Sequence, residues 1–404
     1  TINVPEKTLN DLSNRLENTI FPDSLDLPND DAWSHGIPVK SMREYVDYWK
    51  KDYDWRAQEK YLNTFDHFKM DIDGINIHFV HALSKEKGAV PLLVVHGWPG
   101  SFLECLKAIP ILTDPVSHGR KASDAFHVVC PSLPGYGFSE HPKEPGINTR
   151  KIASIFAQLM ANLKYDKYMT QGGDWGGIIT MHLANLDTEH VLGTHLNFIP
   201  LSPVGFFGNV KFLLSFAFPS WFYTPQEQKY VSYGLSYYWR EFGYFHMQTT
   251  RPTTLGYGLA DSPVGLAAWI LDKFHFWTDT SDDMSVVNVS KEDMITNIMI
   301  YWVTNSITSS SRLYKEHWLV FKDEEAPILE TTPIGICQFH KEIILTGRML
   351  ADQHFYNILS FDIKESGGHF ALLEATEELV DHVIEFKHKI EKQLDDKNKE
   401  KEDL

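Results

Sequence analysis

The chain has 404 residues, 43% of them apolar and 23% charged; this excludes a wholly disordered protein and gives room for one large α/β domain with an insertion. A formal net charge of −17 leaves no basic stripe for a phosphate backbone, so nucleic acid is excluded as a partner. The three cysteines, Cys105, Cys130 and Cys337, are odd in number, far apart and never spaced CxxC; that argues for a reducing compartment and against a disulfide or zinc framework, and makes all three core residues.

Residues 1–66 read as a polar, helical N-terminal meander. Ser41 is placed to cap a helix running toward Trp55, with Tyr45, Tyr48, Trp49 and Tyr53 along one stripe. The pattern then turns to strands. Residues 68–82 alternate around Asp73-Gly74, a hairpin signal. Residues 91–95 (PLLVV) and 127–130 (HVVC) are continuous apolar runs, as buried parallel strands require. A helix over 152–163, a strand over 168–171, a helix over 178–186 and a strand over 194–198 follow. This alternation predicts a mostly parallel sheet.

From about residue 201 the alternation stops. The segment to residue 326 is rich in aromatics, among them Phe206, Phe207, Trp221, Tyr237, Tyr238, Trp239, Tyr244 and Phe245, and reads as helices and loops. Strands resume over 334–339 and 359–363, and a helix over about 375–394 closes the pattern. The predicted division is a meander over 1–66, an α/β core over 67–200 and 327–394, an inserted helical cap over 201–326, and a charged, frayed tail over 395–404. No run reaches the roughly 18 apolar residues of a membrane span; the nearest, residues 204–222, is interrupted by Asn209, Lys211 and Pro219. The chain opens on Thr1 rather than methionine, and the expectation is that upstream residues have been removed.

The chemistry concentrates at Gly172-Gly173-Asp174-Trp175-Gly176, between a predicted strand and a helix. This is the G-x-nucleophile-x-G elbow of the α/β-hydrolase fold, with a carboxylate where the usual residue is serine. A carboxylate is ionised at neutral pH and needs no base to attack carbon. The electrophile must then carry a group that leaves on direct displacement, such as an epoxide oxygen or a halide. His96-Gly97-Trp98-Pro99-Gly100 follows the PLLVV strand, where this fold takes an oxyanion-hole amide. The expected donors are the backbone N–H groups of Trp98 and Trp175, and His96 is expected to tie the loop down.

Chain order in this fold is nucleophile, acid, histidine. His369, in Glu365-Ser366-Gly367-Gly368-His369-Phe370, lies between the last strand and the last helix and is the expected base. Glu342, just past the strand over 334–339, is the expected orienting acid; Asp352 and Asp362 are its competitors. An epoxide also needs a donor to its oxygen. The cap has many tyrosines, and spacing alone does not select among them. No cofactor and no metal is expected.

With these residues in place, the chain resembles the microsomal-type epoxide hydrolases, including the juvenile-hormone epoxide hydrolases. The resemblance rests on Tyr48-Trp49 through Asp54-Trp55-Arg56, on His96-Gly97-Trp98-Pro99-Gly100-Ser101, on residues 131–139 (PSLPGYGFS), on Gln171 through Gly176, on residues 261–268 (DSPVGLAA), and on Gly367 through Phe370. It implies a covalent ester on Asp174, hydrolysed by water that His369 activates with Glu342 behind it. It also implies Tyr244 and Tyr314 as the donors to the epoxide oxygen. The implied partners are a small apolar epoxide and water. Microsomal members carry an N-terminal membrane anchor that this sequence lacks, so the expected location is the cytosolic face of the endoplasmic reticulum if an anchor was removed, and the cytoplasm otherwise. The rival readings are a haloalkane dehalogenase using the same aspartate, with Trp175 at the halide, and a catalytically silent lipid-binding fold.

Overall fold

The structure is a computed structural model describing residues 1–25, 27–28, 32–229, 241–280, 288–320 and 326–402. Tyr237, Tyr238 and Trp239 lie outside the described residues. Eight strands form one sheet: β1 (His67–Ile72), β2 (Ile75–Ala82), β3 (Val90–Val95), β4 (Phe126–Pro131), β5 (Tyr168–Gly172), β6 (Val191–Leu196), β7 (Ile334–Lys341) and β8 (Ile358–Gly368). Their order is β1-β2-β4-β3-β5-β6-β7-β8. The first two strands form the expected hairpin, with Asp73 and Gly74 both at positive φ, as a tight two-residue turn demands. From β4 to β8 every pairing is parallel. Leu92, Leu93, Val94 and Val95 of β3 are all buried, which is why the strand is apolar on both faces. The carboxyl ends of the parallel strands share one edge, where open α/β sheets place their ligands.

The N-terminal region holds α1 (Glu6–Glu17), α2 (Val39–Lys51) and α3 (Trp55–Leu62). Ser41 caps nothing: α2 starts two residues earlier, behind Pro38, whose fixed φ prepares the first turn. The predicted run to Trp55 is instead two helices, because Asp54 accepts from the backbone N–H groups of Arg56 and Ala57 and starts α3 afresh. After β3 come the short α4 (Leu103–Leu106) and α5 (Ala108–Thr113). Cys105 of α4 is joined by a disulfide to Cys130 of β4, contrary to the expectation of three reduced core cysteines. All three are buried, but the fold carries α4 back over β4 and brings together two cysteines 25 residues apart. Only Cys337 is a free thiol.

Helices α6 (Thr149–Asn162) and α7 (Trp175–Leu186) pack on each other, and α7 packs on β3, β5 and β6. The described chain between β6 and β7 is helical: α8 (Gly205–Ala217), α9 (Pro219–Phe222), α10 (Gly243–Thr250), α11 (Pro252–Asp261), α12 (Pro263–Trp277), α13 (Lys291–Thr304) and α14 (Ile307–Val320). Ser262 and Ser290 cap α12 and α13 through Gly265 N and Asp293 N, and Pro263 occupies the first turn of α12, where a missing N–H costs nothing. The N-terminal helices rest on this segment, α1 and α2 against α12 and α3 against α13. After β7 come α15 (Arg348–His354), α16 (Ala371–Glu374) and α17 (Thr376–Glu402). The tail expected to fray is a continuation of α17 as far as Glu402. It is rich in Lys, Glu and Asp and has no Gly or Pro, so nothing in it stops the helix. Among the described residues no helix is long and apolar enough to cross a membrane.

Candidate active site

Asp174 stands in the turn between β5 and α7 at φ +49° and ψ −127°. A non-glycine residue there costs on the order of 1–3 kcal/mol and persists only where its surroundings over-determine it. They do so here through close backbone approach. A Cβ on Gly176 would lie 1.9 Å from the Val95 carbonyl oxygen, so only glycine lets α7 begin this near β3. A Cβ on Gly97 would lie 2.2 Å from Asp174 Oδ1, so glycine again makes room for the carboxylate. Trp98 N–H then donates to Asp174 Oδ1 at 2.7 Å. Trp175 is the first residue of α7, so its N–H has no acceptor within the helix.

Oδ2, the other oxygen, lies 3.6 Å from His369 Nε2. His369 Nδ1 meets Glu342 Oε1 at 2.5 Å, and that oxygen also accepts from Ile343 N–H at 2.8 Å. Glu342 is fully buried, and its Oε2 has no partner among the described residues. The backbone N–H of His369 donates to the Trp277 carbonyl at 2.8 Å, so the end of α12 also fixes the histidine. Burial is the largest single influence on this imidazole and works against its charge. The Glu342 and Asp174 carboxylates together outweigh it and hold His369 well above the ordinary histidine range. The competing acids are engaged elsewhere: Asp362 pairs with His382 at 2.8 Å and Asp352 with Arg348 at 2.6 Å. His96 behaves as a tether. Its Nε2 accepts from Leu133 N–H and its Nδ1 faces the Gly97 carbonyl, while burial lowers it to about 4.

Two phenols lie within the field of the carboxylate, Tyr244 from α10 and Tyr314 from α14, with ring centroids 6.0 Å apart. The Trp98 indole stacks on Tyr244 at 5.5 Å, and Trp175 meets Tyr314 edge-on at 4.7 Å. Trp277 packs against both Tyr244 and His369. Burial, reinforced by the Asp174 charge, keeps both phenols far above the ordinary tyrosine range, so they are neutral donors. The Tyr314 hydroxyl and the indole N–H groups of Trp98, Trp175 and Trp277 have no hydrogen-bond partner among the described residues.

All seven residues singled out in the sequence therefore meet in one place. Sequence reasoning missed three others. Trp277 was one aromatic among many. Asn197, which accepts from Gln171 Nε2 at 2.8 Å and lines the cavity at Asp174, follows β6 without a motif. Glu104 lines the same cavity, and a glutamate on a short helix reads as a surface residue.

Comparison with known proteins decides the family. A family model described as epoxide hydrolase N terminus matches residues 1–105, and one described as alpha/beta hydrolase fold matches residues 90–225. Epoxide hydrolase 1 of Sus scrofa is 36% identical, over 97% of this chain and 88% of its own length. Juvenile hormone epoxide hydrolase 2 of Ctenocephalides felis is 35% identical, over 100% and 88%. The chain belongs to the epoxide hydrolase family. A solved epoxide hydrolase fold also overlays it closely: the crystal structure of juvenile hormone epoxide hydrolase from Bombyx mori has a TM-score of 0.87 at 33% identity, covering 97% of this chain and 94% of that one. Membership in the epoxide hydrolases accounts for the N-terminal helices as a family feature, and the sheet with its elbow is the α/β-hydrolase fold.

Proposed function

We propose that the protein opens apolar epoxides to vicinal diols in two steps through an ester on Asp174. The observation that carries this reading is the unequal treatment of the two carboxylate oxygens. Oδ1 is held by Trp98 N–H, and Oδ2 faces His369. Oδ2 attacks a ring carbon, the carbon–oxygen bond breaks, and the ring oxygen takes a proton from Tyr244 or Tyr314 while hydrogen-bonded to the other. Oδ1 becomes the ester carbonyl oxygen, already seated on an N–H donor. His369 Nε2 then takes a proton from water, and the oxygen of that water bonds to Cγ of Asp174. The N–H groups of Trp98 and Trp175 hold the oxyanion; one such donor contributes roughly 3–4 kcal/mol in related chemistry. Collapse releases the diol and restores the aspartate.

The raised histidine fits this order of events. With Asp174 ionised, His369 sits between two carboxylates and is held protonated. Esterification removes one of those charges, so the imidazole gives up its proton, which restores the tyrosinate left by ring opening, and becomes a base when the ester exists. The aromatic walls favour a bulky apolar substrate, with the two phenols as its polar contacts. We propose the helical segment between β6 and β7 as the cap that adds Tyr244, Trp277 and Tyr314 to these walls. The test is turnover of an aryl epoxide beside a bromoalkane, for the wild type and Asp174→Ala. Diol from the wild type and none from the variant is expected. Bromide release without diol favours the dehalogenase, and diol from Asp174→Ala at the wild-type rate overturns the nucleophile.

A further inference from the structure

Beside Asp174 lies a small chamber lined by His96, Gly97, Glu104, Asp174, Asn197 and His369, among others. The space open to the centre of a water molecule there is about 10 Å³, which holds about one water. The Glu104 side chain reaches it by an unusual route. A Cβ on Gly100 would lie 1.5 Å from Glu104 Oε1, so the carboxyl sits against the bare Cα of Gly100. That loop is held firmly: the Gly100 carbonyl accepts from Tyr301 Oη and the Pro99 carbonyl from Asn297 Nδ2, both at 2.7 Å. Glu104 is partly buried by area, and it lines the chamber together with Asp174 and His369. The Asp174–His369–Glu342 set gives it no role.

We propose that Glu104 is the second anchor of the hydrolytic water, accepting a hydrogen bond from the O–H that His369 does not deprotonate. This rests on the two-step reading above. Water has two hydrogens and one useful attacking direction. His369 Nε2 takes one hydrogen as a proton. An acceptor for the other fixes the rotation of the water, so that an oxygen lone pair points at Cγ of Asp174. Glu104 transfers no proton, and the balance of the step is unchanged. Its charge state suits the task. Burial, reinforced by the Asp174 carboxylate and opposed by His369, pushes the Glu104 carboxyl up to about 8. At neutral pH it is therefore an acid whose carbonyl oxygen still accepts a hydrogen bond, and it places no second anion beside the nucleophile.

The two half-reactions separate this role from a structural one. Rapid-quench intact mass gives the rate of ester formation and the rate of its decay for wild type, Glu104→Leu, Glu104→Gln and Gly100→Ala. Glu104→Leu should slow ester decay about 10- to 100-fold, the scale of a misplaced reactant, and leave ester formation within about threefold. Glu104→Gln keeps a carbonyl acceptor and should restore most of the decay rate. Gly100→Ala should push the carboxyl aside and slow decay with residue 104 intact, adding nothing further on the Glu104→Leu background. Decay at the wild-type rate in Glu104→Leu overturns the proposal, as does an equal loss in both half-reactions. An unfolded Glu104→Leu leaves Gly100→Ala to decide in the same way. Absence of any ester, even in His369→Gln, overturns the two-step reading and this proposal with it.

Discussion

The two sides of the site are built from different materials. The sheet side supplies charge: Asp174, His369 and Glu342 stand at the carboxyl ends of β5, β8 and β7, held by backbone contacts between buried strands. The helical side supplies neutral donors: Tyr244 on α10 and Tyr314 on α14, packed against the Trp98 and Trp175 indoles that the sheet side contributes. The regions differ in packing as well. Strands β3 to β7 are almost wholly buried, whereas α8 and α9 leave Phe207 79% and Trp221 73% exposed. The difference teaches a division of labour. On the proposed mechanism, bond formation to carbon and ester cleavage require charge held in fixed geometry, which buried parallel strands provide. On the same proposal, holding the epoxide oxygen requires only donors that stay protonated, and burial keeps Tyr244 and Tyr314 so.

Changes on the two sides should therefore fail in different half-reactions. On the sheet side, Asp174→Ala should lower kcat/KM for an aryl epoxide by about 10⁴-fold or more, since no other group can form the ester. His369→Gln should slow ester decay by about 10²- to 10⁴-fold and leave ester formation near the wild-type rate, because only the second step needs a base. On the helical side, Tyr314→Phe should slow ester formation by about 10- to 100-fold, the worth of one hydrogen bond to a charge, and leave decay unchanged. A Tyr314→Phe effect confined to decay would break the division.

The sheet side also predicts a pH effect. His369 is raised by two carboxylates, so Asp174→Asn, which removes one, should lower its pKa; ¹⁵N NMR of the imidazole reads this directly. An unchanged or higher value would contradict the electrostatic account. For the same reason ester decay in the wild type should rise with pH through a pKa below that of His369 in the free protein. The smallest effect is expected at the outer helices, where Phe207→Ser should change unfolding free energy by no more than about 0.5 kcal/mol.

The same contrast governs what was legible in the sequence. The sheet side was readable because its geometry leaves covalent marks. Glycines around Asp174 and before His369 report tight turns, and a run such as PLLVV reports a strand buried on both faces. Glu342 followed from its position after β7. The helical side was not readable from spacing, because a tyrosine lining a pocket and one filling a core look alike in a segment full of aromatics; Tyr244 and Tyr314 came only through resemblance. Contacts made by tertiary folding were misread or missed. Cys105 meets Cys130 only because α4 lies over β4. Glu104 reaches the chamber only because Gly100 has no side chain. Local preferences misled in small ways, with Ser41 inside a helix that Pro38 had already begun and a charged tail that α17 absorbs.

The central claim is that the sheet side forms and then cleaves a covalent ester on Asp174. The most direct measurement is the intact mass of His369→Gln after mixing with an aryl epoxide, followed by peptide mapping. The account predicts a stable gain equal to the mass of the epoxide, located on the peptide carrying Asp174 and absent from Asp174→Ala. Diol produced by His369→Gln at the wild-type rate, with no adduct at any time, would contradict it.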